Sequence, residues 1–115
     1  MTSKERPPAP ELPPEATMAD YQKYVHGLES FHGWLDVDLI HNCFLMGEEV
    51  GELFKAVRKF ERYYEPNADG SATAPVAEEI VDVLNYLLAI ANRLDIDVEA
   101  AFRDKNTRNL SRSWD

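Results

Sequence analysis

The sequence predicts an all-α protein. Apolar residues recur in steps of three and four along two long stretches, and no stretch alternates apolar and polar residues as a strand would. Between the two, Pro66-Asn67 and Asp69-Gly70 mark a loop, continued by Ser71 and Thr73. The 115 residues fit one domain, small enough that its core is marginal when alone.

Met1 to Thr17 carries Pro7, Pro8, Pro10, Pro13 and Pro14 among small and charged residues, a composition that favours a flexible, extended and hydrated tail. The helical domain is expected over residues 18–115. A first helix is predicted over Ala19–Phe31, with Tyr21, Tyr24, Val25 and Leu28 on one face. Gly33 ends it, and Phe31-His32-Gly33-Trp34 reads as an aromatic connector. The second helix has the clearest stripe: Leu39, Cys43, Met46, Val50, Leu53, Val57 and Phe60. Asp36 or Asp38 would cap its start. A third helix begins near Pro75, a residue suited to a first turn, and its stripe is Val76, Ile80, Val83, Leu87, Ile90 and Leu94. Asp97 caps a fourth helix that runs to about Leu110. The reading is a four-helix bundle whose long middle pair forms an antiparallel spine. One small chain offers too little to cover both stripes, so a homodimer or homotetramer is expected.

Composition narrows the function classes. A net charge of −9 opposes nucleic acid or an anionic membrane as the main partner. Cys43 is the single cysteine, which excludes an internal disulfide framework and makes a reducing, cytoplasmic setting the expectation. There is no run of apolar residues long enough to span a bilayer, and no signal-peptide core at the amino terminus.

The informative feature is where the acids fall. The second helix carries Glu48-Glu49-Val50-Gly51-Glu52 and the third Glu78-Glu79-Ile80-Val81-Asp82. Glu48, Glu49 and Glu52 share an arc of about 100° on a helix. Glu49 adjoins Val50, while Glu79 and Asp82 flank Ile80 and Val83, so these acids border the apolar stripes. Glu48/Glu52 and Glu78/Asp82 are like-charge pairs at i,i+4, each costing a few tenths of a kcal/mol. The third helix has no basic residue before Arg93 to offset them. A hard divalent cation accounts for the grouping economically: magnesium takes oxygen ligands and keeps waters that phosphates replace. A solvated acidic face is the plainer reading. Di-iron chemistry is disfavoured, because neither acidic run has the histidine at i+3 that such bundles use.

Glu48-Glu49-x-x-Glu52, a gap of 26 residues, and Glu79-x-x-Asp82 resemble the metal signature of the all-α nucleotide pyrophosphohydrolases, most of all the MazG-like branch, itself similar to the dimeric dUTPases and dCTP pyrophosphatases. The likeness covers Tyr21-Gln22-Lys23-Tyr24 through Arg112. It implies a MazG-like bundle that cleaves a nucleoside triphosphate into a monophosphate and pyrophosphate by water attack at the α-phosphorus. It assigns magnesium, with manganese as a substitute, to Glu49, Glu52, Glu79 and Asp82. Glu48 becomes a candidate for a further metal or for orienting the attacking water, and Glu48 or Glu49 for accepting its proton. Lys105-x-x-x-Asn109 and Arg112 look like the family's phosphate-contacting run; with Arg108 they lie at three-four spacing as a basic face on the fourth helix, though ordinary surface charge reads the same way. Trp34 and Tyr86 resemble base-pocket aromatics, and His26 matches a nucleotide-proximal histidine only with a one-residue shift. The tail matches nothing in the family, and the loop from Tyr63 to Thr73 has no base-reading motif. Phosphoribosyl-ATP pyrophosphohydrolysis, and a non-catalytic interaction or regulatory module of the same fold, are the alternatives.

Overall fold

The computed structural model describes residues 6–63 and 70–113, and among these it contains four α-helices, one 3-10 turn and no strand. The predicted turns at Pro66-Asn67 and Asp69 lie outside the described residues.

Helix α1 spans Met18–His32. It starts on a capping box: the Thr17 hydroxyl accepts from the Asp20 N–H at 3.2 Å, and the Asp20 carboxylate accepts from the Thr17 N–H at 2.9 Å. Bonding first from the Thr17 N–H, then from its hydroxyl, holds the Asp20 carboxyl below its ordinary value. At the other end Gly33 takes a left-handed φ of 75°, and the Trp34 N–H closes the turn on the Glu29 carbonyl at 2.8 Å.

Helix α2 spans Leu39–Tyr63. Of the two predicted caps it is Asp38 that serves, accepting from the His41 N–H at 2.7 Å. Asn42, 3% exposed, reinforces this end by donating to the Val37 and Asp38 carbonyls. The Gly70–Thr73 turn leads into helix α3, Ala74–Arg93, with Pro75 in its first turn, where no N–H is needed. Helix α3 ends as α1 does, but with Asp95 (φ 53°) in the left-handed position and the Ile96 N–H on the Ala91 carbonyl at 2.9 Å. The predicted cap Asp97 accepts from the Ala100 N–H and starts helix α4, Val98–Leu110.

The chain forms two compact units, one of the residues up to Asp36 and from Ala91 on, the other of Val37–Ile90. In the first, α1 packs on α4. Gln22 joins α1 to the α3–α4 corner: its amide donates to Asn92 Oδ1 and the Ile96 carbonyl, and its oxygen accepts from the Val98 N–H. Arg93 forks onto Glu29 with both N–H···O distances between 2.7 and 3.0 Å. The Pro-rich segment, expected to be hydrated, lies against α1. The ring of Pro10 sits where a Cβ on Gly27 would come within 2.8 Å, so only glycine admits it. The Arg6 guanidinium stands 4.7 Å from the centre of the Phe31 ring.

The second unit holds α2 and α3 as far as Ile90. Leu88 and Ala89 are buried in the chain, but much of the apolar surface is not: Ile40, Phe44 and Phe54 on α2 and Ile80, Val81 and Leu87 on α3 are about half exposed or more. Among the described residues no helix is long and apolar enough to cross a membrane.

Candidate metal centre

Glu49 comes from the middle of α2, Glu79 and Asp82 from the first half of α3. One carboxylate oxygen from each lies within 4.8 Å of the other two. Glu79 and Asp82 share a face of α3 because they are three residues apart, and the positions beside the stripes put all three carboxylates together. Glu49 and Glu79 are partly buried, whereas Asp82 reaches solvent.

The charges felt at Glu49 are all of its own sign. Burial first, then the charges of Asp82 and Glu79, a hydrogen bond with Glu79, and the charge of Glu52 all push the Glu49 carboxyl above its ordinary value. Every resolved influence on Glu49 acts in that direction. The Oε2 atom of Glu79 is buried without a hydrogen-bond partner. A carboxylate oxygen left bare costs free energy unless something positive meets it. Three hard oxygens from two helices, with no nitrogen or sulfur donor in the group, fit magnesium or manganese better than zinc or copper.

Of the four predicted ligands, these three converge and Glu52 is not in the group, although its charge is felt at Glu49. Glu52 and Glu48 are exposed on α2. Tyr86, one turn beyond Asp82 on α3, is partly buried in this unit. The other predicted contacts belong to the first unit. Lys105, Arg108 and Asn109 are on α4 and Arg112 follows it; Arg108 is engaged by Asp104 at 3.0 Å, and Asn109 donates to Asn106 while its own oxygen is buried and unpartnered. Trp34 is half exposed after α1. His26, exposed on α1, borders a hollow of about 350 Å³ with Lys23 and Pro10. The buried Asn42 and Glu29 and the partly buried Arg93 escape sequence reasoning, since no local pattern separates them from surface residues.

The described residues thus form an all-helical fold in which three carboxylates lie close enough together that they could hold a metal ion. The chain matches no protein-family model and no curated protein.

Proposed function

We propose that the protein is a magnesium-dependent nucleoside triphosphate pyrophosphohydrolase of the MazG-like kind, releasing a nucleoside monophosphate and pyrophosphate. The observations that carry this reading are the convergence of carboxylate oxygens from Glu49, Glu79 and Asp82 and the buried, unpartnered Oε2 of Glu79. Glu49, Glu79 and Asp82, with Glu52 one turn along α2, would hold magnesium. When bound, the cation would lower the pKa of water and neutralise charge on the phosphates.

The protein's own groups supply the rest. Glu48 or Glu49 takes the proton from the water that attacks the α-phosphorus, a task for a carboxylate within hydrogen-bond reach of that water. Lys105, Arg108, Asn109 and Arg112 bind phosphate oxygens, and Trp34, Tyr86 and His26 contact the base; these roles rest on the resemblance. The exposure of large apolar residues on α2 and α3 supports a homodimer or homotetramer in which further copies would cover them. The lone cysteine fits a cytoplasmic setting.

Turnover in ¹⁸O-water tests the reaction. Label is expected in the monophosphate, with Glu49→Gln inactive and still fully helical by circular dichroism. Full activity in Glu49→Gln, or label in pyrophosphate alone, would refute the assignment.

A further inference from the structure

Trp34 is exposed yet held from several sides. Its ring, in a residue 50% exposed, stacks on His32 with centroids 4.3 Å apart and planes 20° from parallel. His32 in turn meets Phe31 edge-on at 5.1 Å. The Trp34 N–H donates to the Glu29 carbonyl at 2.8 Å, in the turn that Gly33 closes. The Trp34 carbonyl accepts from Arg93 Nη2 at 3.2 Å. The same guanidinium grips the Glu29 carboxylate with both of its terminal nitrogens, and the two side chains are only 15% and 8% exposed. Glu29 therefore fixes the Trp34 backbone twice, directly through its carbonyl and indirectly through Arg93.

Stability alone does not account for this arrangement. A buried ion pair is commonly matched or bettered by apolar residues of similar volume. What an apolar pair lacks is a donor for the Trp34 carbonyl. A surface tryptophan does little for the core by being immobile. A planar ligand gains from a ring whose backbone is already fixed and whose face is already stacked on His32, because less ordering remains to be done on binding.

We propose that Glu29 and Arg93 are positioning residues that hold Trp34, backed by His32, as a preformed stacking surface for a planar heterocycle. The heterocycle is the base of the nucleotide, so the proposal rests on the reading of Trp34 as a base contact made above. Neither residue touches the ligand; both act through the Trp34 backbone.

The test uses the full chain with Trp114→Phe, which leaves Trp34 as the single tryptophan. Glu29 and Arg93 are changed together to Met, removing both charges and the donor, and Arg93→Lys is made as the conservative partner. In the folded double variant, Trp34 fluorescence anisotropy should decay faster and acrylamide should quench it more. With magnesium and a panel of deoxynucleoside triphosphates, KM should rise about five- to tenfold while kcat stays within about twofold. Arg93→Lys should restore part of both effects. Should the Met/Met variant not fold, Glu29→Gln with Arg93→Met, which also removes both charges and the donor to Trp34, decides: a looser Trp34 supports the proposal and an unchanged one overturns it. A Trp34 as immobile as in the parent, or one loosened with KM unaltered in an active enzyme, overturns it as well. If no triphosphate is turned over even by the parent, the pyrophosphohydrolase reading fails on its own. Quenching of Trp34 by nucleoside monophosphates then decides the stacking surface: quenching that weakens in the variant supports it, and none in the parent overturns it.

Discussion

Neutralising Glu49 should stabilise the protein without metal and remove its response to metal. Glu49 faces Glu79 and Asp82 with carboxylate oxygens within 4.8 Å. Each such pair repels by about 1 kcal/mol in water and by about 3–4 kcal/mol at an effective dielectric of 20. Asp82 is open to solvent, so screening brings the gain from Glu49→Gln to about 1 kcal/mol, or about 4 °C in melting temperature for a chain of this size. Magnesium at a hundred times its Kd should stabilise the parent by about 2.7 kcal/mol and the variant far less. Melting curves at neutral pH, in EDTA and in magnesium, measure both effects. A lower melting temperature for Glu49→Gln in EDTA would instead mean that the charge of Glu49 is compensated by the fold.

The pH dependence supplies a sign that is hard to reach by accident. Because the Glu49 carboxyl is raised in the folded state, the folded protein binds the proton more tightly than the unfolded chain. Without metal, its penalty is present above the raised folded value and disappears as pH falls through it towards the ordinary 4.5. Apo stability should therefore rise on acidification through that window in the parent and not in Glu49→Gln. With magnesium the slope should reverse, because protons compete with the cation for the same oxygens.

Other substitutions probe the frame around the site. Arg93→Ala leaves the Glu29 carboxylate buried and unpaired and should cost about 3–5 kcal/mol by chemical denaturation, against near neutrality for the Met/Met pair. Gly33→Ala should cost about 1 kcal/mol through its left-handed backbone alone, since no atom lies within 4 Å of the new Cβ. Gly27→Ala should displace Pro10 from α1, seen as faster proteolysis in residues 6–14 while α1 itself remains helical. Unchanged proteolysis there would show that the Pro-rich segment accommodates the methyl group.

The helices are legible in the sequence because their stripes are long and their caps are local: Asp38, Asp97 and Gly33 each act within a few residues of their helix end. The acid trio is legible for the same reason, as three-residue spacing on α3 and adjacency to Val50 on α2 put the carboxylates beside the stripes. What stays hidden depends on partners far along the chain. Glu29 and Arg93 are 64 residues apart, and Gln22 and Asn92 are 70 apart, with nothing in either neighbourhood to announce the pairing. The seat of Pro10 on Gly27 is equally invisible, because a glycine inside a helix reads as a mere weakness until the ring that needs the space is seen.

The most direct test of the central claim is pyrophosphate release from a panel of all common NTPs and dNTPs and several modified ones, with magnesium and with EDTA. A magnesium-dependent pyrophosphohydrolase should release pyrophosphate with an equal amount of monophosphate in magnesium, and none in EDTA. Silence across the panel from a folded protein that binds no magnesium would contradict it.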